Sequence, residues 1–350
     1  ADYTITANAQ LFAQQEFANS DYQDSQMTRI GIKSSPWTNA SVYSSVENQS
    51  SEFGPRLFAN MGLTQGIDLN KNWRLDFGLE RTYTIRDPSL PPFNVNVPPA
   101  SGTYNNNDFT AVSAGATYKD ALWSMTSRAD IRVGDLEDKL ALLFGVYHEP
   151  QPGFGLASAL KYFDTDRSNG TLNTQGILEF SLASRPVSSQ WILLDKVKFI
   201  YEKETGTTDS VTTEKFINNL NANYLYNRSN QVAFNYGIKY VKDNFDSGSY
   251  SGVTQIFGTE YRHDFTPKWD AGVQASTLFS DVGDSQRYSY GVSVGHSFAK
   301  NVWLSAGFNF AGFTDRDFSA AKYTADGFYV KFRFAFDQHT ARKAMAWWEK

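Results

Sequence analysis

The chain has 350 residues, a formal net charge of −5, no cysteine and a negative mean hydropathy. The missing cysteine excludes a disulfide scaffold and a thiolate metal site, no apolar run approaches the ~20 residues that a spanning helix needs, and nucleic-acid binding lacks its basic patch. Aromatic content is nonetheless high, with 27 Phe, 19 Tyr and 8 Trp, which suits a wall of strands showing only every second residue to lipid.

In chain order, no cleavable leader is visible at Ala1, so the chain is expected to be either processed or the membrane part of something longer. A weak first strand precedes a polar stretch at Ser20 to Ser25, and Trp37 sits within a compact join from Ser35 to Asn39. A second polar stretch runs from Gln49 to Pro55, and a second compact join from Leu69 to Asn72. After it, Trp73, Leu75, Phe77 and Leu79 alternate with Arg74, Asp76, Gly78 and Glu80, one phase suited to lipid and the other to water. The longest connection follows, from Arg86 to Asp108, with five prolines and then Asn105, Asn106 and Asn107. Proline stiffens it, and three readings stay open: a constriction folded into a mouth, a docking surface, or a mobile surface loop.

The alternation returns after Lys119 and Asp120. Trp123, Met125, Ala129, Ile131 and Val133 oppose Ser124, Thr126, Arg128, Asp130 and Arg132. Polar stretches at Gly134 to Asp138, Asp164 to Gly170 and Glu204 to Thr212 flank compact joins at Glu149 to Gly153 and Arg185 to Gln190. Trp191 opens a segment whose polar phase carries Lys196, Lys198 and Glu202, and the next carries Asn219, Asn221 and Asn223. Past Asn227 to Asn230, Val232, Phe234, Tyr236, Ile238 and Tyr240 oppose Asn235, Gly237 and Lys239. After Asn244 to Ser249 and the join Thr266 to Lys268, Trp269 opens another run, and Trp303 follows Asp281 to Gln286 and the join Ala299 to Asn301. Beyond Thr314 to Asp326, Phe328, Val330, Phe332, Phe334 and Phe336 oppose Tyr329, Lys331 and Arg333.

Short joins alternating with longer polar stretches imply a transmembrane antiparallel up-and-down β-barrel of about 18 strands, with 16 as the lower count, an even number that puts both termini in the periplasm of a bacterial outer membrane. The barrel is expected over 1–337 and a periplasmic tail over 338–350, where Trp347 and Trp348 beside Arg342 and Lys343 suit either a short interfacial helix or a frayed end. An indole buries an apolar body and keeps its N–H wet, so Trp73, Trp123, Trp191 and Trp269 are expected to form a periplasmic aromatic belt. Trp303 shares the phase of Ser305, Gly307 and Asn309, and Trp37 lies inside its turn, so neither is placed in the belt.

The inward phase then holds the candidate functional charge: Arg74, Asp76, Glu80, Arg128, Asp130, Arg132, Lys196, Lys198, Glu202, Lys239, Lys331 and Arg333. Both signs are mixed, which fits either a hydrated pore that biases ion passage or a lumen whose cross-strand ion pairs satisfy one another. A hydrolase would need a nucleophile beside a histidine, and His148, His263, His296 and His339 are scattered without motif partners, so no catalytic residue and no cofactor are expected. Asp164 with Asp166, and Asp315 with Asp317, have a spacing calcium could use, but Asp-x-Asp alone is read as hydrated loop carboxylate, and no metal is expected.

Four segments carry a resemblance. They are Arg56-Leu-Phe-Ala-Asn-Met-Gly-Leu, Asn218-Asn-Leu-Asn-Ala-Asn-Tyr, the run Asn301-Val-Trp-Leu-Ser-Ala-Gly-Phe-Asn-Phe-Ala-Gly-Phe-Thr-Asp-Arg-Asp-Phe, and Tyr323-Thr-Ala-Asp-Gly-Phe-Tyr-Val-Lys-Phe-Arg-Phe. From about Ser25 to Phe336 the chain resembles the carboxyl-terminal outer-membrane barrel of very large bacterial surface proteins, in which adhesin-type repeats precede the barrel. The resemblance implies an outer-membrane barrel that anchors a larger surface assembly or passes it through its lumen. The rival expectation is a free-standing diffusion porin, with a hydrolase as a minor one. Expected partners are outer-membrane lipid and lipopolysaccharide, the barrel-assembly machinery and a surface-repeat or filament protein, with no nucleic acid.

Overall fold

Period-two alternation gives a strand two unlike faces, and nearly every described residue outside the joins adopts that conformation. The computed structural model describes residues 2–19, 24–51, 54–86, 108–186, 188–206, 209–299 and 302–334. The strands are Asp2–Thr6 (β1), Ala9–Asn19 (β2), Asp24–Ser34 (β3), Ala40–Ser51 (β4), Gly54–Asp68 (β5), Trp73–Arg86 (β6), Phe109–Lys119 (β7), Trp123–Gly134 (β8), Glu137–Gln151 (β9) and Phe154–Arg167 (β10). They continue as Leu172–Ser184 (β11), Trp191–Thr205 (β12), Ser210–Asn227 (β13), Asn230–Phe245 (β14), Gly248–Asp264 (β15), Trp269–Ser280 (β16), Ser285–Ala299 (β17), Val302–Ala311 (β18) and Gly327–Phe334 (β19). Each pairs antiparallel with the strand before it in the chain, so the barrel is up-and-down from β1 to β19.

The nineteenth strand is β1, since β2 to β19 make up the eighteen read from the pattern. The chain turns at Ala7 and Asn8 and returns as β2, pairing Tyr3 with Leu11. Five residues are too few for a period-two signal to stand out.

Several expected outer loops are shorter than their polarity suggests. β8 and β9 are separated only by Asp135 and Leu136, β14 and β15 by Asp246 and Ser247, and β12 runs on to Thr205. An antiparallel ladder satisfies the backbone whatever the side chains are, so polarity here marks height above the membrane and not the end of pairing. β13, at 18 residues, far exceeds the ~9–11 needed to span, leaving paired strand in water. The Arg86 to Asp108 connection, apart from its two ends, lies outside the described residues, as do Phe336 and the tail at 338–350.

The two faces separate as an outer-membrane wall requires. Large apolar side chains of one phase, among them Leu79, Ile131, Phe180, Phe199, Phe234, Phe257 and Val294, are exposed on the outer surface, forming the lipid-facing band. At its lower edge each belt tryptophan meets a ring on the next strand, Trp73 with Tyr118 at 5.0 Å, Trp123 stacked on His148 at 3.8 Å, Trp191 with Tyr224 at 4.8 Å and Trp269 with His296 at 4.2 Å. These cross-strand pairs stiffen the rim from which the barrel wall rises. The join below Trp123 is set by Asp120, whose carboxylate accepts from the Tyr118 hydroxyl at 2.6 Å and from the Leu122 and Trp123 amides at 2.8 and 2.7 Å. That hydroxyl, and then the two amides, hold the Asp120 carboxyl below its ordinary range, so the turn keeps its charged cap into mildly acidic solution.

Candidate functional site: the barrel lumen

Register carries one phase of every strand to the concave face. Arg74 and Asp76 of β6 stand opposite Thr117 and Gly115 of β7, which in turn stand opposite Thr126 and Arg128 of β8. Their charges are largely engaged. Arg74 Nε donates to Asp76 at 2.9 Å and the guanidinium also reaches Asp68, while Arg128 forks onto Asp130 with its nearest contact at 2.7 Å. Arg132 lies over the Phe109 ring at 3.9 Å, and Glu80 acts electrostatically on Tyr43 across the wall.

Across the lumen, Lys196 and Lys198 of β12 converge on Glu179 of β11 at 2.9 and 3.6 Å. Glu202 accepts from Gln175 at 2.6 Å and stands 3.9 Å from Lys215. Lys331 lies over the Tyr329 ring at 5.2 Å, and the Arg333 side chain is outside the description. Trp303 is on this inner face as its phase requires, donating from Nε1 to Asp270 at 2.7 Å beneath the Arg262 guanidinium. The lumen is thus a mosaic of neighbouring opposite charges, with two cavities of about 670 and 490 Å³ along its β5–β10 and β9–β13 walls.

The feature the sequence pattern did not reveal is the connection between β18 and β19, residues 312–326. Its polarity predicts an outer loop, yet it folds across the concave side onto the middle of β13, β14 and β15. Phe318 is fully buried there with Ile256, Leu278, Phe313 and Ala321. Gly237 makes the seat, because a Cβ at that position would lie 2.6 Å from the Phe318 ring. Polar contacts hold the same segment. Lys239 donates to Asp315 at 2.7 Å and meets Asp317 at 3.1 Å, while the Asn219 side chain accepts from the Ser319 amide and donates to the Asp317 carbonyl. Asp315 and Asp317 are therefore bound to a lysine, not hydrated loop carboxylates, and Asp164 accepts from Thr174 at 2.6 Å.

The base of the connection is closed on itself. The Phe313 amide donates to the Thr324 carbonyl, and the Thr324 hydroxyl donates back to the Phe313 carbonyl at 2.6 Å. Asn309, almost fully buried on β18, accepts from Gln274 and donates to the Ala325 carbonyl. Gly312 is required because a Cβ there would stand 2.0 Å from the Asp326 amide nitrogen. A signal was present in the sequence: Phe313 and Phe318 are large apolar residues in an otherwise polar connection, and Gly237 interrupts an inward phase.

The histidines do not converge on a site. His148 stacks on Trp123 and His296 meets Trp269 at a tilt in the belt, and His263 packs edge-on against Phe265 while its ring nitrogen meets Asn230 at 2.8 Å. His339 lies outside the described residues.

No family model and no curated protein sequence matches the chain. Solved outer-membrane proteins are similar to it at low levels. An anion-selective porin from Comamonas acidovorans shares 14% identity over 89% of this chain and 100% of its own, with a TM-score of 0.38. The outer-membrane protein OccK11 (OpdR) of Pseudomonas aeruginosa shares 12% over 93% and 92%, with a TM-score of 0.36, and the copper transporter OprC shares 10% over 94% and 75%, with a TM-score of 0.38. These values are too low to carry a role from any of them to this chain.

Proposed function

We propose that this barrel is a diffusion pore for ions and small solutes, narrowed by its own β18–β19 connection. The observation that carries the reading is the docking of that connection at mid-wall by Phe318 and Lys239. A lumen serving to hold or pass a surface-repeat or filament protein needs that space free, whereas a solute pore gains a defined constriction from it. Because the wall charges stand in neighbouring opposite pairs, their fields largely cancel at a distance, and bulk ion selectivity should be weak.

The test is planar-bilayer recording with the purified, folded chain. Stable unitary conductance in KCl is expected. Arg128→Gln combined with Arg132→Gln should shift the reversal potential toward cation preference, since Asp130 loses its partner and the wall loses two positive charges. A folded chain that never conducts and instead retains a second polypeptide would replace the pore by the anchor.

In this reading the belt end faces the periplasm, so both ends of the β2–β19 series lie there. The chain has no cysteine, which makes labelling clean. Asn169→Cys, in the β10–β11 connection, should react with an impermeant maleimide on intact cells, and Asn70→Cys, between β5 and β6, should react only after the outer membrane is opened. The reverse pattern means the barrel is inserted the other way up.

A further inference from the structure

The cavity of about 490 Å³ between the β9–β13 wall and the folded-in connection is unlike the rest of the lumen, because its charges do not cancel. Lys196 and Lys198 share one carboxylate, Glu179, and Lys161 of β10 acts electrostatically on that same group. Each ammonium has three N–H donors, so serving one carboxylate between them leaves both with donors to spare. Arg316 enters from the connection, lines the cavity and is exposed, with no carboxylate at ion-pair distance among the described residues. Asp315 and Asp317 both go to Lys239, which leaves one negative charge there. Asp195 alternates with Lys196 and so belongs to the opposite face, where it accepts from Asn218 at 2.6 Å. The three cations that line the cavity, Lys196, Lys198 and Arg316, set against Glu179 and that residual charge leave one positive charge in excess, and Lys161, farther along the same wall, adds to it.

The remaining lining suits an oxygen-rich ligand. Asn221 projects from the inward phase of β13, and Ser319 sits at the edge of the docked connection, so neutral hydrogen-bonding groups flank the cations. An arginine on one side and a lysine pair on the other can grip two oxyanion groups at once, the guanidinium as a fork and the ammonium groups as point charges. The volume lies within the roughly 300–1,000 Å³ typical of small-molecule sites.

We propose that this cavity binds a small dianion, a solute bearing two carboxylates or a phosphate, with Lys196, Lys198 and Arg316 as its contacts and Lys161 as a longer-range attraction. The site deepens the pore reading and rests on it, since a solute must reach the lumen. Bound there, the solute would be held beside the constriction, and the same cations would raise its local concentration.

The test is calorimetric titration of the detergent-folded barrel with succinate, and separately with inorganic phosphate, at low ionic strength. Gel migration with and without boiling shows that each variant is folded. Saturable binding of at least one ligand is expected, weakened about tenfold or more in Lys196→Gln/Lys198→Gln and in Arg316→Gln. Lys33→Gln, which removes one positive charge from the inward phase of β3 as Arg316→Gln does from the connection, should leave binding unchanged. No saturable binding of either ligand, binding that survives both changes, or an equal loss in Lys33→Gln would overturn the site. Conductance is scored separately. A barrel that binds without conducting keeps the site and loses the pore, and one that conducts without binding keeps the pore and loses the site.

Discussion

Phe318→Ala is expected to free the β18–β19 connection from the wall and enlarge the unitary conductance. Phe318 is fully buried against Ile256, Leu278, Phe313 and Ala321, and truncating a phenylalanine in such a setting costs about 3–5 kcal/mol. The polar contacts at Lys239 and Asn219 are partly wet and mutually screened, too weak alone to hold a fifteen-residue excursion in one place. Gly237→Val should act from the opposite side, because its Cβ would meet the Phe318 ring at 2.6 Å and the wall cannot yield without breaking its ladder. Both variants should keep the barrel assembled, expose 312–326 to added protease and pass larger current steps than the parent. Cleavage in the connection with unchanged steps would mean that the narrowest point lies elsewhere and that this segment is a brace.

How far the sequence reaches is clearest where strand and loop compete. Trp73 to Glu80 and Val232 to Tyr240 alternate so regularly that their strands and phases could be read directly, because each side chain faces either lipid or water. Trp123 with His148 and Trp269 with His296 explain why the histidines look scattered in sequence: they are placed around one rim. The strand tops were harder to read. Above the membrane both faces meet water, so Glu204 to Thr212 loses its alternation while the β12–β13 ladder continues to Thr205 and Ser210. The docking of 312–326 was hidden for another reason. It depends on a hole at Gly237 that seats Phe318 and on a pairing of Lys239 with Asp315, 76 residues further along the chain, long-range matches with no local period. The basic cavity is hidden in the same way, since Arg316 joins Lys196 and Lys198 only once that segment has folded inward.

The largest expected loss of assembly comes from the other face of the same wall. Phe257 sits at the middle of β15 on the outward phase, paired across to Tyr236 and Thr277 and ringed by Tyr236 at 4.8 Å and Phe279 at 6.4 Å. It is 47% exposed, on the phase opposite Ile256, which is buried in the inward cluster with Phe318. Phe257→Arg would place a guanidinium among acyl chains, a change worth about 2–4 kcal/mol near the midplane. The loss of two ring contacts adds to it. By contrast Arg128→Gln on the inward phase removes one water-exposed ion pair, a contribution of about 0–1 kcal/mol. Urea titration of both variants folded into thin bilayers should therefore show a large fall in stability for Phe257→Arg and little change for Arg128→Gln. In cells the first should accumulate as unassembled, protease-sensitive chain, and the second should reach the outer membrane normally. If the two variants lose stability equally, the outward phase is not facing lipid, and the division of this wall into a lipid face and a lumen face would have to be abandoned.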